Sequence, residues 1–173
     1  QWISNMGIKG VGKGALLASD RLPVSATHQV EVHCFNSAWM SSKNEMPGSL
    51  RFPASQLTTP SLANDGQSLA IWLMHHPSAW FHPDDGRILQ KQLEENADIV
   101  LTGHEHEPGA YVRTSLSNAR VQHIEGGVLQ EGPQSSASSF NLIIVDVGQS
   151  KQRLIRFVRE DSIVRVIEPY GSL

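Results

Sequence analysis

Residues 69–77 read LAIWLMHHP, and residues 98–106 read DIVLTGHEH. LAIWLM at 69–74 is an unbroken apolar run of strand length, the composition of a strand covered on both faces, and DIVLT at 98–102 reads as a second buried strand. Each then ends in imidazoles: His75 and His76 in the first, His104 and His106 in the second. Between them, 84–97 has helical spacing, with Ile88, Leu89 and Leu93 on one stripe and Lys91, Glu94 and Glu95 on the other. A strand, one helix and a second strand predict a right-handed parallel crossover, with 69–74 and 98–102 adjacent in one sheet. Sheets of this kind present their sites at the C-terminal ends of the strands. Three or four imidazoles are therefore expected to converge there, and neutral imidazole is the commonest metal ligand. Only one of His75 and His76 need be a ligand, because successive strand residues face opposite ways. Gly103 is expected to supply the sharp turn that aims His104 and His106 at one point. By the same alternation Glu105 should point away from it.

Working outward, Val30, Val32 and Cys34 alternate with Glu31, His33 and Phe35, the two-residue period of a strand. Residues 37–68 are punctuated by Pro47-Gly48, Pro53, Pro60 and Asp65-Gly66 and read as loop, with a short helix near 53–57. Beyond His106 the pattern is mostly β, with strands expected at 110–113, 121–125, 140–147, 152–159 and 162–167 and a polar loop over 130–139. Residues 1–27 are rich in Gly, Ser and Ala and read as a loop-rich or connecting segment; 28–173 carries the pattern. No internal repeat is visible. The fold class expected is α/β (α+β), a two-sheet β-sandwich flanked by helices. Trp72, inside an apolar strand, is expected to be structural. Trp80, in the loop after the first histidine pair, is expected nearer the pocket.

Composition narrows the classes. The 173 residues are 39% apolar and 18% charged, with a formal charge of -3. That suits a soluble globular chain and disfavours a strongly basic nucleic-acid surface. The single cysteine, Cys34, excludes a disulfide framework within the chain and reads as an inert, buried thiol. No apolar run reaches the roughly 18 residues of a membrane span. The chain opens on Gln1 without a methionine and shows no signal peptide, so a lost N-terminus and a cytoplasmic setting are expected.

Two tempting motifs fail. His104-Glu105-His106-Glu107 is not H-E-x-x-H and follows a strand rather than lying on a helix. Residues 7–13, GIKGVGK, have P-loop spacing, but Gly14 stands where Ser or Thr should hold magnesium. Of the eight histidines, His28, His33, His82 and His123 read as ordinary surface or core residues.

The order WLMHHP, helix, DIVLTGHEH, strand, EGG resembles the calcineurin-like metallophosphoesterases, and FNSAW at 35–39 resembles that family's approach to the region. The likeness covers about residues 28–167, and the spelling of HHPSAW and GHEHEP looks most like bacterial members fused to NTPase or sensor modules in defence proteins. The resemblance implies a four-layer architecture in which 28–173 is the C-terminal half of the domain. It implies that His75 and His104 are ligands of one metal and His106 a ligand of a second. His76, Asn36 and Trp80 are then substrate-pocket candidates. The family's D-x-H, G-D-x-x-D and G-N-H-[DE] motifs, which supply the remaining ligands, do not occur in these 173 residues.

The activity implied is hydrolysis of a phosphoester (a nucleotide, cyclic nucleotide, nucleic acid or phosphoprotein) by metal-activated water between two divalent ions about 3.5–4 Å apart. Histidine and carboxylate ligands suit manganese, iron or zinc. This chain alone is expected to be inactive. Two other readings stay open: a mononuclear three-histidine zinc site, and a non-catalytic metal-binding or regulatory module of a larger protein.

Overall fold

A computed structural model describes residues 16–57, 67–106, 109–115, 118–129, 138–160 and 163–167. Within them lie nine strands and one α-helix. In chain order the strands are β1 (Leu17–Pro23), β2 (Gln29–Phe35), β3 (Ser68–Met74), β4 (Ile99–Thr102), β5 (Gly109–Thr114), β6 (Arg120–Glu125), β7 (Ser139–Asp146), β8 (Lys151–Glu160) and β9 (Ile163–Ile167). The helix α1 (Pro83–Asn96) separates β3 from β4. Six strands form one sheet in the order β1-β2-β3-β4-β6-β5, and β7-β8-β9 form a second.

The expected crossover is present: β3 and β4 pair in parallel, Ile71 opposite Ile99 and Leu73 opposite Leu101. β2 also runs parallel to β3, Phe35 opposite Met74, so the ends of β2, β3 and β4 emerge at one edge. The pleat then sorts side chains between two cores. One face of the large sheet turns Phe35, Ala70, Trp72, Met74 and Val100 towards Leu89 and Leu93 of α1. The opposite face turns Leu69, Ile71, Ile99, Leu101 and Ile124 towards Ile143, Val145 and Leu154 of the second sheet. The result is a mixed α+β sandwich of helix, sheet and sheet. Among the described residues no helical layer covers the far side of the second sheet, where Phe140, Leu142 and Ile144 are exposed, so the fourth layer expected from the resemblance is not seen there. The structural role expected of Trp72 holds: it is fully buried, its ring 4.5 Å from that of Phe35.

Three local expectations are corrected. Residues 17–23 are not loop but strand β1, antiparallel to β2. Its LASDRLP spelling carries a central Asp-Arg pair, tolerated because β1 is an edge strand whose side chains are only half-buried. Ile88 leaves the helix's apolar stripe and is 38% exposed; the inner stripe is Gly86, Leu89 and Leu93. The spacing 86, 89, 93 keeps one face, whereas 88 lies about 100° from 89. The short helix near 53–57 is a single 3-10 turn, Ala54–Gln56. The P-loop-like residues 7–13 lie outside the described residues.

Candidate metal centre

Three histidines meet at the C-terminal edge of β3 and β4. His75, His76 and His104 each offer a ligand nitrogen, and those atoms lie within 4.8 Å of one another. His75 and His76 leave β3 directly, and the loop after β4 brings His104 back over them. The closest approach is 3.1 Å, between His104 Nδ1 and His75 Nε2. Two nitrogens bound to one tetrahedral ion, with bonds of about 2.0–2.1 Å, would sit about 3.3 Å apart. The pair is therefore already near the spacing that a shared ion requires. Burial lowers the affinity of His75 for a proton, the neighbouring His104 lowers it further, Glu45 pulls the other way, and His106 adds a smaller lowering. Neutral imidazole is the form that binds metal, so the environment favours the right protonation state.

His76 is held differently. It is fully buried. Ser37 Oγ accepts from the backbone N–H groups of both His75 (2.9 Å) and His76 (3.1 Å). With both lone pairs so engaged, the serine hydroxyl has its proton free to donate to His76 Nδ1, 3.3 Å away. The imidazole proton then sits on Nε2, 3.3 Å from Glu45 Oε2 at ion-pair distance but without hydrogen-bond geometry. Burial, then His75 and His104, lowers its proton affinity as well. His76 is thus anchored by Ser37 on one side and faces a carboxylate on the other, which leaves His75 and His104 as the freer pair of donors.

The loop that carries His104 is strained. His104 has φ +74° and His106 φ +62°, the left-handed region in which a side chain costs about 1–2 kcal/mol per residue. Glu105 N–H donates to Gly103 C=O at 3.0 Å, closing a three-residue turn around His104. The sign of φ there is that of the rare, strained γ-turn. The turn expected of Gly103 is therefore made by the two histidines. Gly103 itself has no positive φ, and a Cβ on it would meet the His75 ring only at ordinary contact distance, 3.6 Å.

His106 is exposed and is not part of the three-histidine group, although it lies near enough to act on the charge of His75. Trp80 is partly buried, its ring 4.1 Å and edge-on to His104, and its indole N–H donates to Glu105 Oε1 at 2.8 Å. Glu105 accordingly turns from the imidazoles to Trp80. Asn36 stands at the same edge, after β2, exposed, its backbone N–H donating to Leu16. Ser37 and Glu45 carried no signal in the sequence alone. Ser37 follows β2 by two residues and so falls opposite His76 in the parallel register, which is legible only once the strand pairing is known. Glu45 arrives on a loop that no periodicity marks.

The remaining histidines have structural partners. His33 is buried between Ser19 Oγ, 2.8 Å from Nδ1, and Glu31. His123 stacks on Tyr111. His82 caps α1 by accepting from Asp84 N–H, and His28 bonds to Ser25 and Thr27. Cys34 is half-buried, and burial pushes its thiol up, which keeps it unreactive.

No family model matches the chain, and no curated protein matches it. Among solved structures it is similar to wild-type Vps29 from Entamoeba histolytica complexed with zinc, at 17% identity and a TM-score of 0.34 over 58% of this chain. It is also similar to a double mutant of the same Vps29, at 14% identity and a TM-score of 0.38 over 88% of this chain. The chain spans 55% and 61% of those two structures. Both scores are low, and nothing about what those proteins do transfers to this chain on them.

Proposed function

We propose that the edge of β3 and β4 is a metal centre and that the chain contributes it to a phosphoester hydrolase of the metallophosphoesterase type. The observation that supports this most directly is the 3.1 Å approach of two imidazole nitrogens from neighbouring parallel strands, delivered by the same HHP and GHEH stretches that carry the sequence resemblance. The donor set suits a transition metal. Imidazole nitrogens suit zinc, iron, copper or nickel, whereas magnesium and calcium take oxygen ligands. His75 and His104 would hold the ion, with His76 packed beneath them. A bound divalent ion in such a site supplies Lewis-acid polarisation of a phosphoryl oxygen.

This chain's own residues prepare the site. Ser37 fixes the orientation of His76. Desolvation and the neighbouring imidazoles lower the proton affinity of His75 and His76. The exposure of His75 and His106 leaves the site open to a phosphoester from solvent. His106 stands ready on the same loop as a ligand for a second ion. The phosphoester class, and a fused NTPase or sensor module as partner, are carried by the resemblance alone.

A single-ion, non-catalytic centre is favoured by one observation: only three imidazoles group, and among the described residues no carboxylate joins all three. Stoichiometry separates the readings. Titration with zinc or manganese, followed by metal analysis of the dialysed chain, should give one ion per chain here and no hydrolysis of bis(p-nitrophenyl) phosphate. No retained metal overturns the centre. Brisk hydrolysis by these 173 residues overturns the expectation that this chain alone is inactive.

A further inference from the structure

The 104–106 loop holds two residues in the left-handed region, and strain of this kind persists only where the surroundings over-determine it. Backbone bonds contribute two restraints: Gly103 N–H to His75 C=O and Glu105 N–H to Gly103 C=O, each 3.0 Å. Among the described residues, one side-chain bond from outside the histidine cluster reaches the loop, from Trp80 Nε1–H to Glu105 Oε1 at 2.8 Å. Its donor sits on a rigid mount. Trp80 closes the 3-10 turn Ser78–Trp80, whose carbonyls are tied to Leu50 and Phe81, and the turn lies on the first turn of α1 at Gly86. The indole ring stands edge-on to His104, 4.1 Å between centroids. Glu105 lies between the two strained histidines, so a grip on its carboxylate acts on both.

We propose that Trp80 and Glu105 form a latch that positions His104: the indole–carboxylate hydrogen bond holds the strained loop in the conformation that brings the His104 ring onto His75. The bond is charge-assisted, the stronger class of hydrogen bond. Trp80 is therefore a positioning residue, and its N–H is already committed to the protein rather than free for a substrate. The consequence for metal affinity rests on the metal-centre reading above; the latch itself does not.

The test separates the two. In the metal-free full chain, hydrogen exchange is followed at the Glu105 amide, which closes the turn, and at the buried Val100 amide as a control. Trp80→Phe keeps the ring and removes the donor; Glu105→Ala removes the acceptor; Glu105→Gln keeps an acceptor oxygen. Trp80→Phe and Glu105→Ala should each raise exchange at the amide of position 105, corrected for the intrinsic rate of the residue there, by about tenfold, the loss of one hydrogen bond to a charged group. Glu105→Gln, which keeps an acceptor oxygen but loses the charge, should fall between wild type and Glu105→Ala, and Val100 should not change in any variant. Unchanged exchange at Glu105 in Trp80→Phe, or a Glu105→Gln variant as impaired as Glu105→Ala, overturns the latch. Cobalt(II) titration of the same proteins then reads the positioning effect. The two impaired variants should bind on the order of tenfold more weakly, with altered d–d bands at saturation, because an ion-binding ring held loosely forfeits preorganisation. Cobalt affinity and spectra identical to wild type overturn the positioning role. A wild-type chain that takes up no cobalt removes the metal centre instead, and the latch is then decided by exchange alone.

Discussion

At the scale of single residues, the site depends on groups that the imidazoles themselves do not reveal. Ser37 Oγ satisfies two backbone N–H groups at the point where β3 ends, one of them on the fully buried His76. Ser37→Ala leaves both donors without that acceptor and should cost about 1–3 kcal/mol, the penalty of unsatisfied buried donors; urea unfolding at pH 7 measures it. A loss below the error of that measurement would show that the hydroxyl is dispensable. The buried imidazoles also set a pH dependence. Burial lowers the proton affinity of His33, His76 and His123 below the ordinary histidine value. At these rings the unfolded chain therefore binds more protons than the folded one once the pH falls below about 6.5, so they contribute stability that rises with pH across that window, while half-buried Asp98, whose proton affinity burial raises, acts in the opposite sense. The urea midpoint should accordingly climb from pH 5 to pH 7, and a flat or falling midpoint contradicts the burial of these rings as neutral bases. His75 and His104 were legible from their places after two apolar strands. The left-handed backbone of His104 was not, because a glycine beside it offered the cheaper turn.

At the scale of elements, two apolar runs and one amphipathic stretch were enough to place β3, α1 and β4, and parallel pairing followed from the crossover rule. What the pattern could not show was how α1 seats the turn that carries Trp80. Gly86 lies on the inner face of α1, and a Cβ there would come within 2.9 Å of the Ser78 carbonyl oxygen. In an open helix Gly→Ala gains about 1 kcal/mol. Here the contact is with backbone, which cannot swing away, and overpacking costs about 1–3 kcal/mol. Gly86→Ala should therefore destabilise the chain and displace the Ser78–Trp80 turn, read as a lower melting temperature with a shift in tryptophan fluorescence. A higher melting temperature would mean that the helix has room which this packing denies. β1 escaped notice for a related reason: an edge strand half-open to solvent has no need of the alternation by which strands are recognised.

At the scale of the whole molecule, the large sheet carries the histidines and the small sheet closes the opposite face. Leu154 is the deeply buried residue that the small sheet contributes to the core between them. Leu154→Ala should cost about 2–5 kcal/mol of stability yet leave metal affinity of the folded chain intact, since β3 and β4 keep their own packing on α1. Calorimetry and metal titration on one preparation check both halves of that expectation. The central claim is that His75 and His104 together bind a transition-metal ion. Cobalt(II) titration of the full chain at pH 7, with each histidine replaced in turn by alanine, tests it most directly. His75→Ala and His104→Ala should each weaken binding by about a hundredfold or more, one imidazole ligand lost from a site of so few, while His28→Ala and His82→Ala bind as the wild type does. Undiminished binding by a chain lacking both His75 and His104 would contradict the account.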